Sequence, residues 1–336
     1  MPGVIPIAVL GCGRIGRMHA RVLARHPGAH LVAVYDLIPE AATETSRELG
    51  VRAAASVAEV LGDNSIAAVL IATPTSTHVD LIIAAARAGK AVLCEKPIDL
   101  DMARVLECEA AIRDLSCTVM IGFNRRFDPS FRALRERVHA GEIGRVEQVI
   151  ITSRDPSPPP ATYVASSGGL FRDMTIHDFD MARYMVGDIA EVHAIGAVLV
   201  DPAIGEAGDI DSAMIVLRSR AGALVHINNS RRCAYGYDQR LEVFGSGGML
   251  LAGNRHATTV QSFGANHSGA ADVVLPFFIE RYAEAYAAEI AHFLDCVGHG
   301  ATPMTSFADG VEALRIADAA QESLRTGMPV HLDKGN

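Results

Sequence analysis

The chain has 336 residues, enough for about two domains at roughly 100–200 residues each. Its 30 Lys+Arg stand against 39 Asp+Glu, a formal net charge of −9, in a composition that is 49% hydrophobic and 21% charged. That balance excludes a disordered or collagen-like chain. No basic cluster exceeds the pairs Arg125-Arg126 and Arg231-Arg232, so nucleic acid and anionic membranes find no electrostatic footprint.

The N-terminal MPGVIPIAVLGCG is apolar without a basic leader, and it reads as a first strand entering a glycine turn rather than as a signal peptide. Every apolar run is interrupted before the ~18 residues a membrane span needs. Cys12, Cys94, Cys108, Cys117, Cys233 and Cys296 form no CxxC pair and sit mostly in apolar runs. Buried reduced thiols and a cytoplasmic protein are therefore expected.

In chain order, short aliphatic runs at Ile5 to Leu10, Leu31 to Tyr35, Ala68 to Ala72, Ala91 to Cys94 and Thr118 to Gly122 alternate with Ala-rich helical stretches. One of these helices is expected from Val79 to Ala88, capped by Gly89. This alternation predicts a doubly wound parallel sheet over residues 1–122. From residue 123 to 336 the rhythm changes. A helix from Pro129 to Ala140, a strand from Val146 to Ser153, a Pro-rich loop from Asp155 to Pro160 and a helix from Asp173 to Val186 are expected. Strand-like runs then follow one another at Glu191 to Val200, Ser212 to Leu217, Ala223 to Asn228, Gln239 to Phe244 and Met249 to Leu251. Consecutive strands predict a large, mostly antiparallel open sheet in an α+β domain. Helices at Glu280 to Val297 and Phe307 to Thr326 close the chain.

Residues 11 to 16 read GCGRIG, directly after the first strand. In this context Gly11 permits the tight turn, Gly13 lets the backbone approach a pyrophosphate, and Gly16 allows the helix to pack on the strand. Asp36 ends the second strand twenty residues after Gly16, where a carboxylate binds the adenosine ribose diol. Asp36 repels a 2′-phosphate, and Leu37 and Ile38 bring no Arg to offset it. NAD is favoured over NADP, with Arg14 a loop guanidinium within range of either the pyrophosphate or a 2′-phosphate.

The loops ATPTSTH (Ala72 to His78) and CEKPID (Cys94 to Asp99) follow the fourth and fifth strands, on the edge where open α/β sheets bind ligands. That topology places Lys96 near the reactive end of a dinucleotide. In GGLFRDMTIHDFDMARYM, Asp173 and His177 stand at i and i+4 of an expected helix, a carboxylate beside an imidazole. Such a pair supplies a general base for a hydroxyl proton, and Lys96 supplies charge for a developing alkoxide. The plainer readings are a helix cap at Asp173 and a core histidine at 177. His177, Asp178 and Asp180 offer metal donors, but the first two diverge on a helix and no HExxH accompanies them, so no metal is expected.

These residues resemble the glucose–fructose oxidoreductase/inositol dehydrogenase (Gfo/Idh/MocA) family of NAD(P)-dependent polyol and sugar dehydrogenases. The resemblance covers GCGRIGRMHA, EKPID, MIGFNRRFDPSF and GGLFRDMTIHDFDMARYMVG; GFNRRFDP, SRDPSPPP and GLFRDMTIHDFDMAR look specifically like inositol 2-dehydrogenases. It implies oxidation of myo-inositol to 2-keto-myo-inositol (scyllo-inosose), with Lys96, Asp173 and His177 as the catalytic set. It further implies Asn124, Arg125, Asp155 and Tyr235 or Tyr237 as polyol-binding groups. On the cofactor side it implies Gly11, Gly13, Arg14, Ile15, Gly16, Asp36, Thr73, Pro74, His78, Glu95 and Lys96. A homodimer or homotetramer is implied by the resemblance alone. Rival readings are another polyol or sugar, an NAD-assisted glycoside-cleaving enzyme, and a nucleotide-sensing module.

Overall fold

A computed structural model describes residues 3–333. The chain packs as two compact units: residues up to Phe127 with Glu284–Leu314, and Asp128–Ala283 with the residues from Arg315 onward.

In the first unit, β1 (Ile5–Leu10), β2 (Ala29–Tyr35), β3 (Arg52–Ala53), β4 (Ala68–Ile71), β5 (Ala91–Glu95) and β6 (Val119–Gly122) form one sheet in the order β3-β2-β1-β4-β5-β6. All its pairings are parallel. Helices α1 (Arg14–Arg25), α2 (Pro39–Leu49), α3 (Val57–Gly62), α4 (His78–Arg87) and α5 (Met102–Ile112) lie between the strands in sequence. Ile7 to Leu10 and Ala68 to Ile71 are fully buried, the signature of a parallel sheet covered on both faces. Gly89, at φ 71, follows the end of α4 as expected. Because β1 is flanked by β2 on one side and β4 on the other, the strand order reverses there, and that switch point opens the ligand crevice.

The second unit opens with α6 (Pro129–His139), β7 (Val146–Arg154), α7 (Ala161–Ser167) and, after a π-helical turn at Phe171–Thr175, α8 (Ile176–Val186). Next come β8 (Ile189–Ala197), α9 (Pro202–Glu206), β9 (Ser212–Ser219), β10 (Leu224–Ser230), β11 (Asp238–Gly245) and β12 (Gly248–Ala252). A hairpin of β13 (Gln261–Gly264) and β14 (His267–Ala271) precedes α10 (Phe278–Arg281); from Glu284, α11 (Ala283–His299) and the first part of α12 (Phe307–Thr326) belong to the first unit, and the rest of α12 and β15 (Val330–His331) to the second. The seven-stranded sheet has the order β12-β11-β7-β10-β9-β8-β15. It is antiparallel except where β7 and β10 run parallel. Residues alternate across it: Ile215, Leu217, Val225, Ile227, Leu241 and Val243 are buried, while Met214, Val216 and Phe244 are exposed.

Two expectations change. A contiguous division after residue 122 does not describe the packing, because Glu284–Leu314 folds with the parallel sheet. The Tyr286 ring meets His19 edge-on at 5.4 Å, and Ile121 donates its backbone N–H to the Thr305 carbonyl at 2.9 Å. The single helix expected from Glu280 is broken at Tyr282, at φ −111 and ψ 18. Its hydroxyl donates to Gln239 Oε1 at 3.1 Å, holding this residue in the second unit.

Candidate active site

The glycine loop between β1 and α1 divides its tasks among three residues. Gly11 sits at φ +100, and a Cβ there would stand 2.4 Å from the Ala72 carbonyl oxygen. A Cβ at Gly16 would stand 1.9 Å from the Gly11 carbonyl oxygen, whereas one at Gly13 would meet nothing within 4 Å. Gly11 and Gly16 thus close the turn against β4 and the helix. Gly13 leaves open space at the start of α1, which carries no side-chain cap. Open space at a helix N-terminus, where backbone N–H groups point outward, fits a pyrophosphate.

Asp36, just past β2, is half-buried and already shapes the loop: Cys12 N–H donates to Oδ2 at 2.6 Å and Ile38 N–H to Oδ1 at 2.8 Å. Each oxygen keeps acceptor capacity for a ribose diol. Leu37 and Ile38 are exposed apolar neighbours. Burial raises the Cys12 thiol above its ordinary range, with Thr45, Asp36 and Arg17 as smaller influences. Arg14 is exposed and Ile15 half-buried at the start of α1.

After β4, Thr73 and exposed Pro74 lead into α4. His78 is 1% exposed, its Nδ1 2.8 Å from the Pro97 carbonyl and Nε2 2.9 Å from the Thr73 carbonyl. Desolvation lowers its pKa against the opposing pull of those two carbonyls. This histidine, expected on the cofactor side, bridges the two loops through its ring nitrogens. Half-buried Lys96 precedes Pro97 through a cis peptide bond. Glu95 Oε1 lies 2.7 Å from His19 Nε2. Glu289 of α11 is fully buried, and desolvation, with Glu95 adding its charge, pushes its carboxyl well above the ordinary range. Asn124 and Arg125, directly after β6, are buried.

The second unit gathers its polar groups where the parallel ends of β7 and β10 meet the start of β11. Asp155 donates its backbone N–H to the Ser230 carbonyl at 2.9 Å. Asp173, in the π-helical turn, accepts from the Tyr163 hydroxyl at 3.0 Å on Oδ1 and from both Arg231 Nη groups at 3.3 Å on Oδ2. Half-buried His177 follows on the first turn of α8. The expected α-helix from Asp173 is thus a π turn leading into an α-helix, and such turns recur at functional sites. Tyr235 is 52% exposed; its hydroxyl donates to Asp238 Oδ2 at 2.5 Å and accepts from Arg154 Nη1 at 2.8 Å. Burial raises the Tyr235 phenol, and Asp238 adds to the rise. Burial alone would raise the Asp238 carboxyl, but hydrogen bonds from Arg240, Tyr235 and Asn254 outweigh it and hold the group below its ordinary range. Tyr237 is only 6% exposed and packs edge-on against Phe277 and Tyr282, a core position.

Sequence reading missed Arg231, Tyr163, Arg154 and Asp238. Arg231 and Asp173 lie 58 residues apart, beyond any local periodicity; the one available signal was an Arg directly after a strand that ends in the polar run Asn228, Asn229 and Ser230.

The fold and the glycine loop define a dinucleotide-dependent oxidoreductase with an NAD-binding Rossmann unit. Residues 5–123 match the model described as "Oxidoreductase family, NAD-binding Rossmann fold" and residues 131–251 the "GFO/IDH/MocA C-terminal domain". The chain belongs to the GFO/IDH/MocA oxidoreductase family. It is 48% identical to the inositol 2-dehydrogenase of Rhizobium meliloti (strain 1021), over 95% of this chain and 97% of that protein. The crystal structure of a myo-inositol dehydrogenase from Corynebacterium glutamicum superposes with a TM-score of 0.95 at 48% identity, covering 99% of this chain and 100% of that one. A scyllo-inositol dehydrogenase from Lactobacillus casei, solved with NAD(H) and scyllo-inositol, gives a TM-score of 0.91 at 30% identity over 98% of this chain and 99% of that one. Among the described residues no helix is long and apolar enough to cross a membrane.

Proposed function

We propose that the protein oxidises myo-inositol to 2-keto-myo-inositol, using NAD. The observation that carries this reading is the end-to-end likeness to an inositol 2-dehydrogenase at 48% identity. The open space over Gly13 and the acceptor oxygens of Asp36 support it independently.

NAD, when bound, takes up the hydride that the substrate carbon gives up. His177 accepts the proton of the same hydroxyl, so that the alcohol loses one proton and one hydride and becomes a ketone. Asp173, whose Oδ2 accepts from both Arg231 Nη groups, orients the imidazole and accepts from a substrate hydroxyl. Lys96 donates to the reacting oxygen and stabilises alkoxide charge as it develops. Asn124, Arg125, Asp155 and Tyr235 supply further hydrogen bonds to a polyol, while Gly11, Gly13, Arg14, Ile15, Gly16, Asp36, Thr73, Pro74 and Glu95 hold the dinucleotide. Thr73, Pro97 and the residues around them are kept in place by His78.

The exposed face of the seven-stranded sheet carries Ile150, Ile195, Met214, Val216 and Phe244, an apolar patch that a second copy of the chain covers in a homo-oligomer. A cytoplasmic setting belongs to the same reading, supported by the burial of Cys12, Cys94, Cys108, Cys233 and Cys296 as free thiols.

The test is NADH formation from NAD, and separately from NADP, across myo-inositol, scyllo-inositol, chiro-inositol, glucose and xylose. Preferential reduction of NAD by myo-inositol is expected. Preference for scyllo-inositol would move the protein toward the Lactobacillus casei enzyme's substrate, and activity on glucose or xylose alone would overturn the inositol reading.

A further inference from the structure

The last residues of β10 and the residue after it are tied to the π-helical turn that carries Asp173 and to the start of α8, which carries His177. Asn229 lies in β10 and Arg231 at the bend directly after it, and both side chains reach the segment from Asp173 to Asp178. Both are almost fully buried, at 3% and 1% exposure. Asn229 Nδ2 donates to Asp178 Oδ2 at 2.8 Å, and its Oδ1 accepts from Thr175 Oγ1 at 2.7 Å. Arg231 spans to Asp173 with both Nη groups, and its own backbone N–H donates to the Asp211 carbonyl at 2.8 Å. Position 177 is therefore flanked in sequence by two carboxylates, Asp173 and Asp178, each tied to the same strand end.

We propose that Arg231 is the positioning residue for the Asp173 carboxylate, with Asn229 fixing the π-helical turn on which that carboxylate rides. This rests on the reading that Asp173 and His177 serve the reacting hydroxyl. The π turn and the start of α8 are anchored from outside their own helical hydrogen bonds: Arg231, just after β10, holds residue 173, and Asn229 of β10 holds residues 175 and 178. The guanidinium fixes one carboxylate oxygen from the protein interior while the Tyr163 hydroxyl takes the other. A planar fork does this; an ammonium on a shorter reach does not reproduce it. Misplacement of a reacting group by about 1 Å can cost on the order of a hundredfold in rate.

The test compares Arg231→Lys, Arg231→Gln and Asn229→Ala with the parent and with His177→Ala, scoring kcat and KM for myo-inositol, KM for NAD, NADH binding by fluorescence, and the thermal midpoint. The expected result is a kcat lowered at least tenfold in Arg231→Lys or Arg231→Gln, whichever folds, with NADH binding and the KM for NAD within about twofold of the parent. Asn229→Ala, which leaves Arg231 in place, loses less. A folded Arg231 variant with kcat within tenfold of the parent overturns the proposal. So does a rate loss that tracks lost NADH binding or disappears when the assay is cooled below the variant's unfolding range, since that marks a purely structural role. If His177→Ala turns over like the parent, the catalytic reading itself fails, an outcome separate from any result at Arg231.

Discussion

Gly16 sits so close beneath Gly11 that a Cβ on it would stand 1.9 Å from the Gly11 carbonyl oxygen, while Gly13 between them faces open space. Gly16→Ala drives a methyl group into backbone, an overpacking cost of roughly 1–3 kcal/mol or more. It should lower the thermal midpoint of the cofactor-free protein. Gly13 has φ −69, which alanine adopts without strain. Gly13→Ala should leave that midpoint within a degree or two and weaken NADH binding at least tenfold. Calorimetry and fluorescence titration of the two variants check the division of labour.

Asp36 both anchors the loop through Cys12 N–H and offers its oxygens to a ribose. Asp36→Ala should lose about 1–3 kcal/mol of stability through the orphaned backbone donor. It should also cut the preference for NAD over NADP, since the charge that repels a 2′-phosphate is gone. The ratio of kcat/KM for the two dinucleotides measures this, and an unchanged ratio would remove Asp36 from cofactor selection.

The parallel sheet was legible because its strands are unbroken aliphatic runs and its first turn needs glycine at two crowded positions. Lys96, Asp173 and His177 can be singled out in the sequence because the motifs that hold them are local. Arg231 cannot, since its partner lies across the fold on another element. The π turn escaped because helical spacing does not register one widened turn. The hairpin of β13 and β14 is exposed throughout, so it has no apolar alternation to betray it. The apolar face of α11 announces burial without saying against which unit.

Glu289 gives a pH-dependent stability whose sign follows from burial. Its folded-state pKa is raised by desolvation, so the native state holds a proton that the unfolded chain releases at the ordinary glutamate value. The stability this confers is full below that value and declines as pH rises toward the folded-state pKa. Glu289→Gln keeps the neutral shape and removes the slope. The variant's thermal midpoint should gain on the parent's as pH is raised from about 5 to 8, and a difference that does not change with pH would contradict the buried-acid account.

On the open sheet face, Val216 pairs in register with His226 of β10 and is 48% exposed. Val216→Asp places a charge in the centre of the patch assigned to self-association. Light scattering after size exclusion should show smaller particles than the parent, with the fold retained by circular dichroism. An unchanged mass would move the interface elsewhere.

The most direct test of the catalytic account is the initial rate of NAD reduction by myo-inositol in Lys96→Ala and His177→Ala, with NADH affinity measured on the same preparations. Loss of a positioned general base costs about a hundredfold to ten-thousandfold, so both variants should lose at least two orders of magnitude in kcat, His177→Ala with NADH bound as in the parent and Lys96→Ala with binding largely kept. Near-parental turnover in either variant, with the protein folded and binding NADH, would contradict the role given to that residue.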